Sequence, residues 1–123
     1  MKSKQPPETQ MTLDSSRMND YQKLASRTAG AGGSGERRLI IATLGLAGEA
    51  GEFANLIKKM TAHGHKITND QLADELGDIL WYLAEAATSC GLDLAGIAEQ
   101  NIQKLARRYP DGFSSERSIH RES

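Results

Sequence analysis

Apolar positions recur at intervals of three and four along most of the chain, and no stretch shows the strict alternation and β-branched enrichment of a strand. The pattern predicts an all-α protein with four helices. The first covers Leu13 to about Ala29, with Met18, Tyr21, Leu24 and Ala25 on one face. The second runs from about Glu36 to Thr61. The third runs from about Thr68 to Cys90 and opens on Thr68-Asn69-Asp70-Gln71, which has the form of a capping box. The fourth begins after Gly91 with Asp93 as N-cap and stops before Pro110, which cannot continue a helix. At about 100° per residue, Leu39, Leu46, Ala50, Phe53 and Ile57 make one apolar stripe, and Leu72, Leu76, Ile79, Leu83 and Ala86 make another.

Between the two central helices lies a short loop, Ala62-His63-Gly64-His65-Lys66. Residues Gly30 to Gly35 formally match G-x-G-x-x-G, but no strand precedes them and no P-loop lysine follows, so they read as a flexible linker. Residues 1–12 contain Pro6-Pro7 and no apolar core of a signal peptide, and are expected to be a disordered tail. Residues 13–113 form one helical domain, Asp111-Gly112 marks a turn, and 114–123 are expected to be a polar C-terminal tail.

The 123 residues are 38% apolar and 25% charged with a net charge of -1, which argues against both a basic nucleic-acid binder and a disordered acidic chain. That near-neutrality hides a separation. Residues 1–38 sum to +3, 39–99 to -6 and 100–123 to +2. The lone Cys90 forms no intrachain disulfide and is expected to be a small core residue; with no uninterrupted apolar run of membrane-spanning length, a cytoplasmic protein without membrane association is expected.

The acidic centre is patterned. Glu49-Ala50-Gly51-Glu52-Phe53 and Glu75-Leu76-Gly77-Asp78-Ile79 repeat one motif, acid, apolar, glycine, acid, apolar, on successive helices. Residues three apart share a helix face, so each helix presents two carboxylates at the edge of its stripe. If the stripes pack antiparallel, four carboxylates converge, with Gly51 and Gly77 expected to let the backbones approach. Such a group repels itself unless a cation neutralises it, and all-oxygen donors suit Mg²⁺ or Mn²⁺. Asn101, Lys104 and Arg108 recur on one face of the last helix, and Lys104 and Arg108, with Lys58 and Lys59, supply positive groups for phosphate. Trp81 and Tyr82 suit either core or contact with a base, and His63 and His65 lack the further ligands of a zinc site.

Tyr21-Gln22, Arg27-Thr28, Leu44-Gly45-Leu46-Ala47-Gly48-Glu49-Ala50-Gly51-Glu52, Lys58-Lys59, Gly64-His65, Asp74-Glu75-Leu76-Gly77-Asp78-Ile79-Leu80-Trp81-Tyr82, Asn101-Ile102-Gln103-Lys104-Leu105 and Arg108-Tyr109-Pro110 together give a chain that resembles the MazG-like all-α nucleoside triphosphate pyrophosphohydrolases. The resemblance implies a four-helix bundle completed by oligomerisation, as a homodimer or a dimer of dimers. It also implies Mg²⁺-dependent hydrolysis of a (d)NTP between the α and β phosphates, in nucleotide-pool house-cleaning. Glu49, Glu52, Glu75 and Asp78 are carried over as metal ligands and catalytic residues, and Lys59, Trp81, Tyr82, Asn101, Lys104 and Arg108 as substrate contacts. Some relatives place a further acid before the first motif glutamate as a base; Gly48 stands there in this chain, so no separate general base is assigned. A phosphoribosyl-ATP pyrophosphatase-like enzyme and a non-catalytic helical interaction module are the alternatives.

Overall fold

The computed structural model describes residues 17–30 and 34–120. The expected tail at 1–12, the start of the first helical segment, the middle of the glycine linker and the last three residues lie outside the described residues. Five helices are described, α1 (Met18–Ser26), α2 (Gly35–Ala62), α3 (Asn69–Ser89), α4 (Leu94–Arg108) and α5 (Ser115–Ile119), with no β-strand among the described residues. The short α5 falls within the stretch expected to be a polar tail. It starts where the Ser114 hydroxyl accepts from the Arg117 N–H at 3.4 Å.

The helix ends follow the local chemistry. Ser34 caps α2 by accepting from the Arg37 N–H at 3.2 Å. At the start of α3 the capping box is complete: Thr68 Oγ1 accepts from the Gln71 N–H at 3.2 Å, and Gln71 Oε1 accepts from the Thr68 N–H at 2.9 Å. Gly91, at φ +71°, ends α3 and lets the Leu92 N–H return to the Ala87 carbonyl at 2.8 Å. The first turn of α4 is capped from two elements. Its N–H groups at Leu94, Ala95 and Gly96 donate to Gln22 Oε1 (2.8 Å), Asn19 Oδ1 (2.9 Å) and Asp93 Oδ1 (2.6 Å). Gln22, itself buried, donates to Thr88 Oγ1 at 3.0 Å and the Leu92 carbonyl at 2.9 Å, which ties α1 to the α3–α4 turn.

α2 and α3 pack as a hairpin across the short loop, α1 lies on α3, and α4 lies mainly on α1. The core is small. Ala25, Ala42, Ala84, Ala87 and Leu94 are buried, with Tyr21 and Ile97 packed against the last three. The two expected stripes are only partly covered within one chain: Ala50, Leu76 and Leu83 are exposed, and Ile41 and Leu44 on α2 are 50% and 68% exposed. Cys90 is also exposed, at the end of α3 rather than in the core. By length and composition alone α2 qualifies as a membrane-crossing helix. Glu49 and Glu52 stand at its middle, however, where an ionised side chain in hydrocarbon costs about 2.5–3.5 kcal/mol, and α2 packs against α3. Those features fit a bundle helix.

Candidate active site

The site is set out by helix periodicity. On α2, Arg38, Ala42, Gly45, Glu49 and Glu52 follow at spacings of four, three, four and three; on α3, Glu75, Asp78, Tyr82 and Glu85 follow at three, four and three. Each set therefore occupies one face. The two faces meet in antiparallel register. At one end Arg38 Nη2 lies 3.3 Å from Glu85 Oε2. One step further along, Gly45 faces the ring of Tyr82, and beyond it Glu49 reaches Glu75.

Glu49, Glu75 and Asp78 each present a carboxylate oxygen, and these oxygens all lie within 4.8 Å of one another. Glu52 is outside that group but close enough to act on it electrostatically. The carboxyl of Glu75 titrates above its ordinary value. Burial is the largest cause, followed by a hydrogen bond with Glu49 and then by the charges of Glu49, Asp78 and Glu52. No lysine or arginine is among the groups that shift it. Burial, and then the charge of Asp78, likewise raise the pKa of the Tyr21 hydroxyl on α1. Glu75 Oε2 is buried without a hydrogen-bond partner. An unpartnered carboxylate oxygen among three other acids fits a hard cation, and the oxygen donor set suits Mg²⁺ or Mn²⁺. His63 and His65, both exposed, join no such cluster among the described residues.

The glycine reading is corrected. A Cβ at Gly51 or Gly77 meets open space within this chain, so neither glycine permits a helix contact here. The close approach is at Gly45, where a Cβ would overlap the Tyr82 ring. That ring fills the seam between the helices at the level where the acid faces begin.

Trp81 and Tyr82 are half-buried and meet edge to face, with centroids 5.0 Å apart. The Trp81 indole N–H donates to Thr28 Oγ1 at 2.8 Å and to the Ala25 carbonyl at 3.2 Å, anchoring α3 to the end of α1. Both rings line a cavity of about 250 Å³ with Arg37, Arg38, Ile41, Ala42, Glu85 and the Ala29-Gly30 segment. Lys59 is half-buried near the end of α2. Asn101 and Lys104 are exposed on α4, and Arg108 is half-buried with its Nε unpartnered. Within one chain these four make no described hydrogen bond or ion pair with the acids. The sequence reading gave no role to Arg38 and Glu85, and carried Gly45 only within the motif of the resemblance. The signal available was their spacing from the motif acids, which puts them on the same helix faces.

A family model described as the MazG nucleotide pyrophosphohydrolase domain matches residues 40–113, which span both acid motifs. The chain is 37% identical over 100 residues to the Gene 37 protein of Mycobacterium phage L5, covering 75% of this chain and 88% of that protein. No solved structure matches. With its helical fold, paired acid motifs and this match, the chain belongs to the MazG nucleotide pyrophosphohydrolase domain family.

Proposed function

We propose that the protein is a Mg²⁺-dependent nucleoside triphosphate pyrophosphohydrolase that splits a (d)NTP between the α and β phosphates into (d)NMP and pyrophosphate. The observation that carries this reading is the convergence of the Glu49, Glu75 and Asp78 carboxylates, with Glu52 beside them, in a domain of this family. These four acids would hold the metal. Bound there, Mg²⁺ or Mn²⁺ would lower the pKa of a water and offset charge on the phosphate oxygens.

The chain's own groups position the substrate. The hydrolysis consumes one water across the α–β bridge, and no side chain is required to form a covalent intermediate. Lys59, Asn101, Lys104 and Arg108 are assigned to the phosphates that the metal leaves uncovered, through charge-assisted hydrogen bonds. Trp81 and Tyr82, which line the cavity about one turn along α3 from Asp78, are assigned to the sugar and base. The reading includes a homodimer or a dimer of dimers, because the exposed Ile41, Leu44, Leu76 and Leu83 leave apolar surface that a second copy would cover. It also includes a cytoplasmic role in cleansing the nucleotide pool, without nucleic-acid polymers or membranes as partners.

A panel of NTPs, dNTPs and phosphoribosyl-ATP, incubated with Mg²⁺ and followed by pyrophosphate release, tests the reading. Release from nucleoside triphosphates supports it. Release from phosphoribosyl-ATP alone would move the assignment to that enzyme class, and release from none would leave a helical interaction module. Glu52→Ala and Asp78→Ala should each abolish release, and unchanged turnover in either would show that the acids are not the site.

A further inference from the structure

The ion pair of Arg38 and Glu85 does no work in the mechanism above, and its setting is unusual. Glu85 is 94% buried, since only 6% of its surface is exposed, and it lines the cavity whose other walls are Trp81, Tyr82, Arg37 and Ile41. Its partner is a single guanidinium nitrogen, Arg38 Nη2 at 3.3 Å, and the Arg38 side chain is 36% exposed. Burying a carboxylate is costly, and an apolar pair of similar volume would serve the fold equally well or better. What the pair adds is a polar wall, with guanidinium donors beside a carboxylate acceptor, in a cavity otherwise floored by two aromatic rings.

The position of this wall relative to the acids has the scale of a nucleotide. Asp78, Tyr82 and Glu85 lie on one face of α3, so Tyr82 is about 6 Å and Glu85 about 10 Å along the helix from Asp78. A phosphate held at the acids puts a ribose alongside Tyr82 and a base at the level of Glu85. The cavity, at about 250 Å³, is just below the ~300–1,000 Å³ of sites for drug-sized ligands, a size that suits one flat heterocycle. Every nucleobase offers N–H donors and O or N acceptors side by side on its edge, which complement a carboxylate and a guanidinium.

We propose that the Arg38–Glu85 pair is the specificity-determining contact for the nucleobase, reading its polar edge while the ring of Trp81 packs against it. The proposal rests on the nucleotide pyrophosphohydrolase reading of the acid site. It separates this chain's substrate choice from its chemistry: the acids act on any triphosphate, and the pair ranks the bases.

Two measurements test it. The first is the KM and kcat of wild type, Glu85→Gln and Arg38→Lys for four nucleotides that differ only in base. Glu85→Gln keeps the volume of the side chain and removes its charge. Its KM should rise about tenfold or more for the best substrate and much less for the poorest, so that the ranking of bases compresses or changes. An equal change for all four bases, or none, overturns the proposal. The second is fluorescence of Trp81, the sole tryptophan, during titration with nucleoside monophosphates in the absence of metal. Base-dependent quenching in wild type that loses its base dependence in Glu85→Gln supports the pair as reader, whereas absence of quenching in wild type counts against it. The fluorescence titration needs no turnover, so failure of the pyrophosphohydrolase reading would show as base-dependent quenching without pyrophosphate release. Circular dichroism of both variants should match wild type; a loss of helix would mean that the pair holds the fold and overturn its role as reader.

Discussion

Gly45 and Tyr82 face each other across the α2–α3 seam, and the tyrosine ring occupies the space that a side chain at position 45 would need. The contact is between the middle of one helix and the middle of the other, one turn from Glu49 on α2 and one turn from Asp78 on α3. Whatever moves Tyr82 therefore changes the spacing of the two acid faces. Gly45→Ala should destabilise the protein by about 1–3 kcal/mol through overpacking, reduced by the ~1 kcal/mol that alanine gains over glycine in a helix. Gly51→Ala, in open space within the chain, should instead hold or raise stability by up to about 1 kcal/mol. Urea denaturation of both variants checks the contrast; equal effects at the two positions would contradict it.

The acid cluster makes the metal-free protein pH-sensitive in a defined direction. Glu75 has a folded pKa above its ordinary value, so its contribution to stability is fully present below the unfolded pKa and is lost as pH rises through the folded one. In EDTA, stability should fall as pH rises from the acid side to neutrality, and Glu75→Gln should remove that part of the slope while raising stability at pH 7.5. Mg²⁺ at 100 times its Kd should add about 2.7 kcal/mol to wild type at neutral pH. The gain should shrink in acid and disappear in Glu75→Gln. Thermal melts with and without EDTA across pH read all of these. A flat EDTA profile with no response to Mg²⁺ would show that the carboxylates neither crowd one another nor hold a cation.

Gln22 joins α1, α3 and α4 through three hydrogen bonds of 2.8–3.0 Å. Gln22→Ala strips a cap from α4 and leaves buried groups unpaired, at a cost of about 2–3 kcal/mol. Gln22→Glu keeps the acceptor for the Leu94 N–H but loses the two donations and buries a carboxylate against the Leu92 carbonyl, so its midpoint in urea at neutral pH should fall at least as far below wild type as that of Gln22→Ala. A Gln22→Ala midpoint equal to that of wild type would contradict the role.

Leu44 is 68% exposed in the middle of α2, next to Ile40 and Ile41 at 53% and 50%. Burying one such leucine is worth about 1.5–3 kcal/mol, which two or more copies can recover by association. Leu44→Lys should shift the protein toward monomer in light scattering at low micromolar concentration. Wild type that is monomeric at every accessible concentration would remove the oligomer from the proposed function.

Much of this was legible in the sequence because it is local. Thr68 and Gln71 form the expected capping box, Asp93 the expected N-cap, and the three-residue spacing of the acids sets them on one face of each helix. What was not legible depends on how two helices rotate against each other. Glycine inside a helix reads the same at 45, 51 and 77, and only the packed pair shows that position 45 has no room for a side chain. Cys90 reads as core by residue type, yet it falls on the C-cap where the chain turns outward. Arg38 and Glu85 are 47 residues apart, and their pairing needs the register of the whole hairpin. The α5 helix is one turn held by a serine cap, too short for periodicity to reveal.

The identity of the bond that is cut tests the central claim most directly. Wild-type protein with Mg²⁺ and a (d)NTP, with products resolved by anion exchange, should yield nucleoside monophosphate and pyrophosphate in equal amounts, and neither product should form when Asp78 is changed to Asn. Nucleoside diphosphate with inorganic phosphate, or any product ratio unchanged in Asp78→Asn, would contradict it.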